Sequence, residues 1–239
     1  MRVNKYISEA GLCSRREADD LLIAGRVTIN GDIVRTGAKA LEGDEVRVDG
    51  EVVKARVLAT TPGAKKAVYI ALNKPVGITC TTDQSVDGNI IDFVDHPQRI
   101  FPVGRLDKDS EGLILLTSNG DIVNEILRAE NHHEKEYLVA VNQTVTDEFL
   151  HGMAKGVRIH GQTTTPCRTR RIAKYGFSIV LTQGLNRQIR LMAAAFDYRV
   201  TQLRRVRIDN VKLAHLKIGQ WRNLTEAELK GLLPERTQW

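Results

Sequence analysis

Phe101-Pro102-Val103-Gly104-Arg105-Leu106-Asp107-Lys108-Asp109-Ser110-Glu111-Gly112-Leu113 sets a dense charge cluster between two apolar strands, with a glycine toward each end. A solvated turn can carry such charges, so the cluster alone leaves two readings open, a surface loop or a site. Its surroundings define the fold. Val68-Tyr69-Ile70-Ala71-Leu72 and Leu113-Ile114-Leu115-Leu116-Thr117 read as buried strands, and Ile78-Thr79-Cys80-Thr81-Thr82 is rich in β-formers. Residues 137–141 and 177–182 continue the series, while helical patterns fall at 121–127, 146–154, 186–196 and 225–233. The last opens with Thr225 and Glu228 at capping-box spacing. Short strands mixed with helices, without a regular strand-helix-strand rhythm, predict an α+β domain on a mixed, mainly antiparallel sheet.

The first sixty residues differ in texture. Val3, Tyr6, Ile7 and Ala10 share one helix face, and Gly11 ends the run. Ser14 with Glu17 announces a second helix, with Ala18, Leu21 and Leu22 on its buried side and Gly25 as its stop. Val27-Thr28-Ile29 then runs into Asn30-Gly31, and Val46-Arg47-Val48 into Asp49-Gly50, both type I′ hairpin signals. A small helix-helix-sheet domain over 1–56 is expected. Arg2, Lys5, Arg15, Arg16 and Arg26 gather around its helix ends, where they can form one basic face or simply a solvated helix surface. Thr60-Thr61-Pro62-Gly63 marks an exposed linker over 57–67, leaving 68–239 as a second domain.

With 239 residues, 42% of them hydrophobic and 27% charged, the chain can bury one full core and a small second one, which excludes a disordered protein. The formal charge of +6 suggests a polyanionic partner, but it is unevenly spread: net 0 in 1–60, −4 in 61–160, +11 in 161–222 and −1 in 223–239. Cys13, Cys80 and Cys167 lie far apart, so neither a zinc knuckle nor a disulfide framework is expected. His132-His133-Glu134 lacks metal-ligand spacing and reads as surface histidines. No phosphate-binding glycine loop supports ATP, NAD or S-adenosylmethionine use. The start has no apolar leader segment, and no run is long enough to cross a bilayer, so a cytoplasmic protein away from membranes is expected.

Two resemblances sharpen this. Residues 4–31, NKYISEAGLCSRREADDLLIAGRVTING, resemble an S4 RNA-binding domain, which grips structured RNA by shape and phosphate contacts. Residues 104–114, GRLDKDSEGLI, resemble the catalytic motif of pseudouridine synthases in the branch that also carries an N-terminal S4 domain, the RsuA/RluB/RluE/RluF branch. ALNKPVG at 71–77, KEY at 135–137 and GLNRQIR at 184–190 resemble that family's other motifs in order and spacing. Within the branch, the motifs resemble most the RluF-type members acting on large-subunit ribosomal RNA.

The resemblance implies a reaction and roles. Such an enzyme breaks the N1–C1′ bond of a uridine, turns the base and joins C5 to C1′; no atom is added, so no cofactor is expected. Asp107 would be the catalytic carboxylate, acting at C1′ as nucleophile, as electrostatic stabiliser or as base at the 2′ position. Arg190 would ion-pair with it, and Tyr137 would stack on the flipped uracil. Arg105 would fill the vacated space in the RNA or hold a phosphate, whereas Lys74 reads as structural. Arg168, Arg170 and Arg187 belong to the basic track expected to contact RNA. The expected partner is a structured ribosomal RNA stem-loop, in 23S rRNA or an assembly intermediate, met by a monomer. Action on 16S rRNA or tRNA, and a non-catalytic S4-type RNA-binding or ribosome-assembly role, are the alternatives.

Overall fold

The computed structural model describes residues 1–53, 67–127 and 133–234. The chain divides into two compact units, Met1–Lys66 and Ala67–Trp239. Residues 57–66 of the expected linker lie outside the described residues.

In the first unit, α1 (Val3–Glu9) and α2 (Arg15–Ile23) precede β1 (Val27–Ile29), β2 (Asp32–Ile33), β3 (Val46–Val48) and β4 (Glu51–Val52), which form a sheet of order β2-β1-β3-β4. Ser14 and Glu17 close a reciprocal capping box at the start of α2. Asn30 and Gly31 both take positive φ (51° and 93°), as do Asp49 and Gly50 (52° and 77°), which is what type I′ turns need. Val3, Ile7, Ala18, Leu22, Val27, Val46 and Val48 pack as the core between helices and sheet.

The second unit runs β5 (Tyr69–Lys74), α3 (Ile90–Val94), β6 (Phe101–Val103), β7 (Glu111–Thr117), α4 (Asp121–Leu127), β8 (Lys135–Val141), α5 (Asp147–Lys155), β9 (Arg158–Ile159) and β10 (Gln162–Thr163). It continues with β11 (Arg168–Ala173), β12 (Gly176–Leu181), α6 (Gln188–Ala194), β13 (Val200–Ile208), β14 (Val211–Lys212), β15 (Trp221–Asn223) and α7 (Glu226–Leu232). The main sheet has the order β11-β12-β8-β13-β7-β5-β15, with β14 on β13 and β6 on β7. Its pairings are antiparallel except β13 with β7, which is parallel. This is the expected α+β, mainly antiparallel architecture.

Strands β5 and β7 are buried along their whole length because both sheet faces are covered there. Ile70, Leu72, Ile114 and Leu116 face one core together with α5 and α6. Tyr69, Ala71, Leu113 and Leu115 face the other, closed by α4 and α7. Alternation puts successive side chains in different cores, so neither face shows a polar stripe in the sequence.

Two expectations need correction. Residues 78–82 form no strand beyond a single bridge between Thr79 and Asn89. The segment instead wraps the start of α3: Thr79 N donates to Gly88 O and Ile90 N to Thr79 O, while Cys80 is buried in the core. The helix expected at 186–196 starts only at Gln188, because Arg187 takes a left-handed conformation (φ 50°, ψ 29°) as its N-cap.

Candidate active site

The charged segment is a loop joining β6 to β7, and its backbone is tied down. Gly77 N donates to Lys108 O (2.8 Å), Ser110 N to Asp107 O (3.0 Å), and Leu106 N to Cys80 Sγ (3.4 Å). Leu106 enters the core with Tyr137, while its neighbour Arg105 is exposed. Anchored from below at Leu106, the loop carries Asp107 half-buried at its rim.

The arginines of α6 meet this loop in an arrangement the sequence reading did not anticipate. Arg190 Nη2 donates to Asp109 O (2.9 Å) and Ser110 Oγ (3.1 Å), Nη1 donates to Val200 O (3.3 Å), and Nη2 lies 3.4 Å from the Asp109 carboxylate. The ion contact to Asp107 comes instead from Arg187, whose Nη1 is 3.8 Å from Oδ2. Arg187 also grips Asp109 in a bidentate pair (3.1 and 3.0 Å). The left-handed start of α6 turns Arg187 toward the loop, and Arg190, one turn on, reaches the loop backbone. The hydrogen bonds from Arg187, supported by the charges of Arg190 and Arg187, hold the Asp109 carboxyl below its ordinary range against the opposing effect of burial.

Tyr137 stands on β8 with only 9% of its surface exposed. Directly opposite it in the β8–β13 register is Arg205, 4% exposed, its guanidinium 5.9 Å from the Tyr137 ring centroid. Arg205 Nε donates to Leu113 O (2.6 Å). On its other side Arg205 pairs with Gly112 of β7, and Gly112 pairs with Lys74 of β5. Tyr137, Arg205, Gly112 and Lys74 therefore form one row across four strands. Lys74 is fully buried and donates to Pro75 O and Ile78 O (both 2.8 Å), which fits its reading as structural. Burial lowers its pKa, partly opposed by Cys80, Asp107 and Asp109. Arg205, part of the +11 stretch read as an RNA-facing track, is buried instead, and its spacing of two from the apolar Leu203 could have assigned it to the core face.

The expected RNA-contact residues are dispersed. Arg105 and Arg170 are exposed, and Arg168 is exposed while bonded to Glu134 (2.7 Å). In the first unit Arg15 and Arg16 are exposed, Arg2 bridges to Lys39 through the backbone, Lys5 pairs with Glu9 (3.3 Å), and Arg26 forms a two-bonded pair with Asp49. Arg207, part of the +11 stretch, is engaged by Glu134 and Glu136. His133 is not a surface histidine: it is buried with Nδ1 against the Asp209 carboxylate, while His132 lies outside the described residues. Among the described residues, no group of three or more His, Cys, Asp or Glu is arranged to hold a metal ion, and no helix is long and apolar enough to cross a membrane.

Fold, loop and motif order converge on one class. Residues 68–195 match the family described as RNA pseudouridylate synthase and residues 1–46 match the S4 domain, so the chain belongs to the S4-bearing RNA pseudouridine synthases, isomerases that act on RNA. It is 54% identical to the dual-specificity RNA pseudouridine synthase RluF of Salmonella typhi over 95% of this chain and 77% of that protein, and 52% identical to its Escherichia coli K12 counterpart over 96% and 77%. The ribosomal large subunit pseudouridine synthase B of Bacillus subtilis is 32% identical over 97% of this chain and 95% of its own length. A crystal structure of a pseudouridylate synthase matches with a TM-score of 0.70 at 30% identity, covering 97% of this chain and 99% of that one.

Proposed function

We propose that this enzyme isomerises a specific uridine of large-subunit ribosomal RNA, with Asp107 as the carboxylate acting at C1′, Tyr137 as the platform for the flipped base, and Arg187 and Arg190 as the cations that hold the loop. The observation that carries the reading is the contact of the half-buried Asp107 with the Arg187 guanidinium at 3.8 Å, on a loop whose neighbour Leu106 is anchored in the same core as Tyr137. That contact fixes where the carboxylate stands relative to the loop, which is what attack at a single sugar carbon requires. Arg190 acts through the loop itself: its bonds to the Asp109 carbonyl and the Ser110 hydroxyl fix the far side of the turn that carries Asp107.

The target uridine leaves its stack, at a cost of a few kcal/mol repaid by pocket and phosphate contacts. Exposed Arg105, next to Leu106 and Asp107, stands where it can fill the space left in the RNA. Arg15 and Arg16 of the S4 unit and Arg170 supply phosphate contacts, and Arg2, Lys5, Arg26 and Arg168 join them from within their ion pairs or backbone contacts. The reaction adds no atom and draws on no cofactor. The substrate is a structured stem-loop in 23S rRNA or an assembly intermediate, and the enzyme acts as a cytoplasmic monomer. Names that record a dual specificity among the relatives at 52–54% identity favour a second RNA target, with tRNA or 16S rRNA as the classes to search.

Pseudouridine mapping of total RNA from a strain lacking the gene tests the target. Loss of a pseudouridine in 23S rRNA is expected. An unchanged 23S profile with losses elsewhere overturns the large-subunit assignment, and no loss in any RNA favours the non-catalytic S4-type reading.

A further inference from the structure

Arg205 is a charge without a counter-charge. Its side chain is almost fully enclosed, Nε is satisfied by Leu113 O, and Nη2 is buried with no hydrogen-bond partner. No carboxylate among the described residues pairs with it within 4 Å. Burying an unpaired guanidinium is expensive, and proteins ordinarily match such a group with an anion. Lys74, two strands away in the same row, is also buried and bonded only to carbonyl oxygens. Between them stands Gly112, where the Arg205 backbone comes too close for any side chain. Two buried cations thus stand in one row with Tyr137, and the Arg205 guanidinium lies 5.9 Å from its ring centroid. The two α6 arginines differ in that both lie within ion-pair distance of the Asp109 carboxylate.

The isomerisation creates an anion when the N1–C1′ bond breaks. The electron pair stays with the uracil, on N1 and delocalised over O2 and O4, while C1′ bonds to the Asp107 carboxylate or C2′ gives up its proton to it. C5 then joins C1′ as the Asp107–C1′ bond breaks or the proton returns to C2′, the C5 proton leaves, N1 regains a proton, and the product is an isomer of the substrate. We infer that the buried guanidinium of Arg205, set against Tyr137, stabilises the detached uracil as an anion. This rests on the reading of Asp107 and Tyr137 given above. It makes Arg205 a positioning and electrostatic residue whose missing partner is the leaving group itself, present only after bond cleavage.

The test compares single-turnover consumption of two RNAs that carry either uridine or 5-fluorouridine at the target position. Fluorine withdraws electron density and stabilises the anionic base without help from the protein. Arg205→Met is expected to slow consumption of the uridine RNA by about 100-fold and of the 5-fluorouridine RNA by about tenfold or less, with RNA affinity within about threefold of the wild type. Arg205→Lys, which keeps the charge, is expected to recover at least about tenfold of the uridine loss. Equal losses on both RNAs, or no loss, overturn the inference. Should Arg205→Met not fold, the ratio of the two losses in Arg205→Lys decides: a larger loss on uridine supports the role and equal losses refute it. Asp107→Asn, run alongside, separates the two claims, because full turnover by that variant contradicts the site itself whatever Arg205 does.

Discussion

Arg187 binds Asp109 through two parallel hydrogen bonds of 3.1 and 3.0 Å, and the same guanidinium is the cation 3.8 Å from Asp107. One side chain thus couples the start of α6 to both acids of the loop. Both partners of the Arg187–Asp109 pair are nearly half exposed (44% and 48%), so the pair adds little to folding, about 1 kcal/mol or less. Its importance lies in loop geometry. Arg187→Met should therefore shift the denaturation midpoint only slightly while lowering the single-turnover rate by about tenfold or more. A large stability loss with an unchanged rate contradicts this division.

Gly112 marks a close approach between β7 and β13. A Cβ there would lie 2.2 Å from Arg205 O and 2.7 Å from Arg205 N, and the residue holds φ at +107°. Backbone cannot move aside as a flexible side chain can, and an L-residue at this φ is strained. Gly112→Ala should cost about 3 kcal/mol or more by breaking the parallel pairing, read as a large fall in thermal midpoint. A near-native midpoint would show that the two strands can separate without penalty.

Cys167 donates to Met153 O, and burial pushes its thiol up to about 11. Because the folded value lies above the unfolded value of 9.0, this contribution to stability is complete below pH 9 and is lost as pH rises through about 11. Burial also raises the Cys80 thiol, so the effects add in the same direction. Denaturation at pH 8 and pH 11 should show a smaller alkaline loss for Cys167→Ala than for the wild type. Equal losses would assign the alkaline destabilisation to other groups.

Arg15 and Arg16 are exposed at the start of α2. If they neutralise RNA phosphates, replacing either by Ala should weaken binding and reduce the slope of log affinity against log salt by about one. A filter-binding titration at several salt concentrations reads this. An unchanged slope would remove the residue from the RNA contact.

What the sequence disclosed follows from the range of the interactions involved. The capping boxes at Ser14 and Thr225 and the turns at Asn30-Gly31 and Asp49-Gly50 are built by neighbours in the chain, so their signals are local. Strands β5 and β7 are apolar throughout because both faces are buried, and they too were legible. Strand β13 was not singled out as a strand. Its Gln202, Arg204, Arg205 and Arg207 break the apolar pattern, and partners such as Glu111, Glu134 and Glu136 that accommodate Gln202 and Arg207 lie some 70 to 90 residues away. Similarly, Ile78 to Thr82 has strand composition, but Gly88 and Ile90 recruit its backbone into a loop. The residues of the site were named largely from motif resemblance, yet their pairing was not. Which arginine faces Asp107 depends on a left-handed turn at Arg187 that residue type alone does not announce. The linker expected over 57–67 falls almost wholly outside the described residues and adds nothing to either side.

Asp107 is the residue on which turnover depends, and release of tritium from C5-tritiated RNA reads its role directly. The wild-type enzyme should release tritium, because forming the C5–C1′ bond expels the C5 proton. Asp107→Asn should bind the same RNA with affinity within about threefold and release none above background, a loss of several powers of ten in rate. Release at the wild-type rate by Asp107→Asn would contradict the proposed site outright.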